Sequence, residues 1–164
     1  MAEAFDDELR STMVVIAAAA FAIDALYVRV DELLEPEYRN RAERRVGRII
    51  ETLKVALDLG PRTQRWQTEI GDLFDKRDEL VHFRGKEKEP LPHPTGKSNV
   101  SHESASFTAE EATRAVDLAL EVLKGGYTLA RPKHAALQTW NQRASHVPAW
   151  FDEVRETSKK APSR

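Results

Sequence analysis

Helix-breaking residues stand at only a few places along this chain, and the segments between them have lengths that helices fill. Pro36 is the first proline, and Gly60-Pro61 makes the next break. Gly85, Pro90, Pro92, Pro94 and Gly96 crowd one later stretch, and Gly125-Gly126, Pro132 and Pro148 divide the rest. A proline inside a helix removes a hydrogen bond and clashes with the preceding turn, so these positions mark boundaries. Met1 to Leu34 reads as one long first helix. The second runs from about Arg39 to Leu59, with Val46, Ile49, Ile50, Leu53 and Leu57 on its apolar face. Pro61 suits the first turn of a third helix. The fourth begins where Thr108 and Glu111 form a capping box, with Ala112, Val116, Ala119, Leu120 and Leu123 as its buried stripe. Gly125-Gly126 weakens or ends it.

The pattern predicts an all-α fold: an antiparallel bundle of four main helices over residues 1–130, with a C-terminal helical extension, residues 131–164, packing back on it. Leu137, Trp140, Val147, Trp150, Phe151 and Val154 supply that extension with apolar contacts. A chain of 164 residues is long enough for one domain with a real core, and 41% hydrophobic with 32% charged residues marks it as globular. There are no cysteines, which removes thiol catalysis and Cys-based zinc sites and suits a cytoplasmic protein.

The first helix carries an apolar middle, Met13 to Ile23, of eleven residues. That run is too short to span a bilayer, and Asp24 and Arg29 follow it, so no membrane partner is expected. Glu3, Asp6, Asp7 and Glu8 put acid where a signal peptide needs positive charge. Small side chains at Ala17 to Ala20 allow close helix approach. The segment reads as the central core helix or as part of a dimer seam.

Net charge is −2, so any attraction for nucleic acid must be local. The second helix offers one such place. Arg39, Arg41, Arg44, Arg45 and Arg48 stand against the single Glu43. Arg41, Arg44, Arg45 and Arg48 share an arc opposite the apolar face, as phosphate contact would require. The plainer alternative is a solvated face trimmed by Glu35, Glu37 and Glu51.

The third helix carries an anomaly. Trp66, Ile70, Leu73, Phe74, Leu80 and Val81 share an arc roughly 120° wide, and Arg77 projects from its middle. A guanidinium stays charged in a protein and is rarely buried unpaired. Arg77 is therefore paired inside the bundle, or this face opens onto an interface or a cleft. His82 lies at the expected helix end, one turn from Asp78, whose carboxylate and the negative helix end both favour an imidazolium.

Arg77-Asp78-Glu79-Leu80-Val81-His82 resembles the R-x4-H motif of HEPN domains, which sits late in the third helix of a small helical bundle. The order and spacing of the helices resemble that family over roughly the first 130 residues. The resemblance implies a metal-independent endoribonuclease, a toxin or phage-defence component, in which RNA's own 2′-hydroxyl is the nucleophile. His82 would then be the acid/base group, Arg77 the phosphate clamp, and Asp78 the residue that orients the imidazole. It further implies a homodimer in which two such motifs meet in one cleft, and an antitoxin protein as a possible partner. Toxins of the family that a nucleotidyltransferase modifies carry Tyr two residues after the His. Here that position is Arg84, which argues against such regulation. The rival readings are a non-catalytic module that binds RNA or nucleotide and a helical interaction protein.

A long polar loop follows, residues 83–107, in which Asn99 to Phe107 could pair as a short strand. His93 and His102 lie on it nine residues apart with no second ligand motif, so no metal and no cofactor are expected. A Gly-rich phosphate loop, HExxH and Gly-x-Ser-x-Gly are absent from the sequence.

Overall fold

A computed structural model describes residues 2–39, 42–81, 91–92, 99–100 and 107–160. Helix α1 spans Ala2–Leu33, α2 Arg45–Ala56, α3 Arg62–Val81, α4 Ala109–Thr128, α5 Ala135–Arg143 and α6 Val147–Lys160. A 3-10 turn, Pro36–Tyr38, follows α1. Leu91–Pro92 and Asn99–Val100 pair as two-residue antiparallel strands, Leu91 opposite Val100. The fold class is all-α.

Helix α1 is the spine, contacting α4 most extensively and then α3 and α2. Ile16, Ala19, Ala20, Ile23, Leu26, Tyr27 and Val30 bury one face of it. Judged over Leu9–Leu33 rather than over the eleven-residue run, this helix is long and apolar enough to cross a membrane by length and composition. In the fold that apolar character is partly spent on the core. Ile49 and Leu53 of α2, Trp66, Ile70, Leu73 and Phe74 of α3, and Leu118 and Val122 of α4 complete it. Leu137 of α5 joins the same cluster, and Tyr127 stacks on Trp140 at 4.5 Å between ring centroids.

The second helix is shorter than its sequence pattern at both ends. Pro36 opens the 3-10 turn, and Arg39 leaves it in extended conformation. The Arg39 guanidinium donates to Leu34 O at 3.2 Å and Glu32 O at 3.4 Å, satisfying carbonyls that the end of α1 leaves free. Arg44 is still extended, and the helix begins at Arg45. At the other end, Leu57 bridges Ala130, Asp58 N–H donates to Leu129 O, and Arg131 N–H donates to Ala56 O. Gly60 then turns the chain with φ of 51°, a left-handed conformation that glycine adopts without strain.

Helix α4 starts as the capping box predicts, with Thr108 Oγ1 accepting from Glu111 N–H at 3.3 Å. Its buried stripe is offset from the expected one. Ala115, Leu118, Ala119 and Val122 are buried, whereas Ala112, Val116, Leu120 and Leu123 are half-buried. The helix also continues through Gly125-Gly126 to Thr128. A Cβ at 125 would stand 2.5 Å from Trp66, and one at 126 would stand 2.6 Å from Leu26. Close helix packing, not helix termination, requires these glycines.

Candidate functional site

Arg77 sits one turn beyond Leu73 and Phe74, where α3 runs out of the core. Its side chain is 24% exposed. Leu80 is half-buried, and Val81 is 62% exposed, so the apolar arc opens to solvent at this end. The guanidinium lies 5.1 Å from the centroid of the Phe74 ring, a cation–π contact. Its Nη2 lies 2.6 Å from Oδ1 of Asp78, whose side chain is 52% exposed. Its Nε–H is buried and has no hydrogen-bond partner. Among the described residues the ion-pair partner of Arg77 is thus not a buried carboxylate but the half-exposed one next in sequence. The Asp78 carboxylate, expected on the imidazole of His82, contacts Arg77 among the described residues. His82, His93 and His102 lie outside the described residues.

This arrangement has an evident chemistry. One face of the guanidinium rests on an aromatic ring, and one arm is tethered by a carboxylate that water can reach. An incoming phosphate competes with Asp78 for the same cation, and a bidentate oxyanion suits the planar fork better than a point charge would.

The basic residues of the second segment do not form the helical arc that the sequence suggests. Arg41 lies outside the described residues. Arg44 is exposed and precedes α2, so only Arg45 and Arg48 are helical. Arg45 is engaged with α1. Its Nε and Nη2 donate to the two Asp24 carboxylate oxygens at 2.8 and 3.1 Å, and its cation lies 4.5 Å from the Tyr27 ring centroid. The Asp24 hydrogen bonds raise the Arg45 pKa further above its ordinary value. Arg48 is half-buried, with its Nε lacking a hydrogen-bond partner. Nor does one chain bring this cluster to Arg77. Leu26 and Trp66 pack on adjacent glycines of α4, so Arg45 lies at the Trp66 end of α3. Arg77 is eleven residues on, roughly 16 Å along the helix.

Between α3 and α4 runs a cleft of about 690 Å³, floored by Ile16, Leu73, Ala115 and Leu118. Its rim holds Glu69, Asp72, Asp75, Glu79, Glu111, Asp117 and Glu121 against Arg65, Lys76 and Arg114. Lys76 pairs with Glu111 and Arg65 with Glu121 across it, which fixes α3 and α4 antiparallel. This groove is net acidic, a lining that repels a polyanion. Among the described residues no grouping of three or more His, Asp or Glu side chains could hold a metal.

One polar site has no local signal in the sequence. His134 caps α5 and is fully buried. Its Nε2 is 3.1 Å from Val55 O, a carbonyl in the last turn of α2, and its Nδ1 is 3.2 Å from Glu35 Oε2. Each ring nitrogen thus has an oxygen within hydrogen-bond distance. The Glu35 carboxyl is held below its ordinary value by a hydrogen bond from its own backbone first and by His134 next. Tyr38 packs edge-on against the imidazole at 5.0 Å.

No protein-family model, no curated protein and no solved structure matches this chain.

Proposed function

We propose that this protein is a HEPN-like, metal-independent endoribonuclease whose site is built on Arg77 and His82. The observation that carries the reading is the state of Arg77. It is a cation about one quarter exposed, held among the described residues by an accessible neighbouring carboxylate and the face of Phe74, near the end of a helix whose apolar face continues into solvent. In the reaction the 2′-hydroxyl of the substrate gives its proton to His82 and its oxygen attacks the adjacent phosphorus. The 5′-oxygen departs and takes up a proton, leaving a 2′,3′-cyclic phosphate and a 5′-hydroxyl. Arg77 leaves Asp78 for the phosphorane as negative charge develops there. Two copies would join their motifs in one cleft across a two-fold axis, with α3 in the interface, in a cytoplasmic toxin or phage-defence setting held in check by an antitoxin protein. Arg44 and Arg48 remain available as phosphate contacts. Arg45 reaches phosphate only by giving up Asp24.

The test is cleavage of single-stranded RNA in EDTA. The expected products carry the cyclic phosphate, and a 2′-deoxy substrate is not cut. Intact RNA under these conditions leaves the second reading, a non-catalytic RNA-binding or helical interaction module. The exposed apolar residues of α1 favour that alternative.

A further inference from the structure

Helices α3 and α4 both pack on α1 and touch one another sparingly. Helix α2 covers the groove between α1 and α3, and α5 covers the one between α1 and α4. The groove between α3 and α4 is filled by no helix among the described residues. It is the cleft of about 690 Å³, with Ile16 of α1 at its floor and Leu73 and Leu118 on its walls. Ion pairs brace it near both ends, Lys76 with Glu111 at one and Arg65 with Glu121 at the other. They hold the two walls at a fixed spacing, so an occupant meets a formed site and little ordering has to be repaid.

We propose that this groove docks an amphipathic helix of another protein, one whose narrow apolar stripe is flanked by Lys and Arg. Shape and charge both select that occupant. From Arg65 to Glu79 the α3 wall is roughly 21 Å long, about four turns of a helix laid alongside it. Two antiparallel helices with an apolar floor between them form the cradle that a third helix fills. The rim sets seven carboxylates against three cations, and Asp72 and Asp75 stand exposed at its lip. Lys and Arg flanking the stripe would reach those carboxylates while the stripe covers Leu73 and Leu118. RNA and anionic lipid carry the sign of the rim and are repelled. A linear polyamine matches the charge but leaves the apolar floor uncovered. The floor side chains are already largely buried, so the rim carries as much of the affinity as the floor, and micromolar binding is expected. At 100° per residue the α3 wall centres roughly 120° around the helix from Arg77, so a partner here leaves the Arg77 face free. The groove stands apart from the nuclease reading, because docking is measured without RNA.

The probe is a fluorescein-labelled peptide of about 15 residues, made of leucine and lysine with the leucines on one helical stripe. Anisotropy with the full chain should give a micromolar dissociation constant that rises with salt. Asp72→Lys combined with Asp75→Lys brings the rim to neutrality. It should weaken binding about 10-fold or more, with the circular dichroism of the wild type retained. Glu37→Lys combined with Asp58→Lys makes the same change in net charge at exposed positions outside the groove. That variant should bind within about twofold of the wild type. Absence of binding at hundreds of micromolar peptide would overturn the site. So would equal losses from the two double variants, which would reduce the effect to net charge. Equal binding of a scrambled peptide of the same composition would remove the helix from the proposal, and displacement of the peptide by equimolar spermine would assign the groove to polyamines instead.

Discussion

Arg77 and His134 are both basic side chains in partly apolar surroundings, and the fold treats them in opposite ways. His134 is sealed. Each ring nitrogen has an acceptor, one on α2 and one at the end of α1, and a tyrosine covers the ring. Arg77 is held loosely by its sequence neighbour and a phenylalanine face, and its Nε–H has no partner. Buried polar groups that serve structure are nearly always satisfied, and under-satisfied ones call for another explanation. The contrast fits an architectural His134, and it supports the proposal that Arg77 works on something outside the chain.

The largest expected effect is at Arg77. Arg77→Ala should slow RNA cleavage by about 10²–10³-fold, the scale of losing one charge-stabilising donor. His82→Ala should cost roughly 10²–10⁴-fold. The same Arg77→Ala protein should lose only about 1 kcal/mol of stability, because among the described residues it gives up a partly exposed ion pair and one cation–π contact. A buried carboxylate partner would have made that cost severalfold larger. Cleavage rate and melting temperature on one sample test both halves. A variant that melts far below the wild type would place Arg77 with His134 as a structural residue.

His134 should behave in reverse. His134→Ala leaves Val55 O in the core without its donor and opens a cavity, together worth about 2–4 kcal/mol. In a chain of this size that lowers Tm by roughly 5–15 °C. Cleavage by the fraction that stays folded should be unchanged, which single-turnover assays below the shifted Tm would read. A loss of rate with Tm unmoved would dissolve the distinction between the two sites.

The sequence makes one of these sites legible and hides the other, for a physical reason. Arg77 announces itself because helical periodicity predicts the neighbours of a residue on its own helix, and four of the six apolar positions around it are buried. His134 and its acceptors lie 79 and 99 residues apart, and no local pattern encodes such a meeting. The same limit explains the other departures. Thr108 was readable as a cap because its partner is three residues away. The late start of α2 was not, because it goes with Arg39 turning back to the carbonyls of α1. Nor was the passage of α4 through Gly125-Gly126, which reflects Trp66 and Leu26 on other helices. The basic arc failed for a related reason. Periodicity places arginines on a face but does not reveal that Asp24, on another helix, already occupies Arg45.

The smallest expected effect is at Glu35, where the structural site meets solvent. Its carboxyl is held below the ordinary value of 4.5 in the folded chain. A group whose folded pKa is depressed binds protons more readily when unfolded, so it adds stability above its unfolded value. That contribution fades as pH falls through the folded value. The clasp should therefore be intact at neutral pH and weaken as pH falls below 4.5 through the lowered folded value. Once protonated, Glu35 offers Nδ1 a neutral carbonyl oxygen in place of an anion. Glu35→Gln retains an oxygen that can accept from Nδ1–H but removes the charge. It should lower stability slightly at pH 7, and the gap from wild type should close on going to pH 3.5. Urea unfolding of both proteins across that range reads the difference directly. A gap that persists unchanged at pH 3.5 would show that the carboxylate charge does not hold the histidine. The site would then be sealed by packing and by the Val55 carbonyl alone.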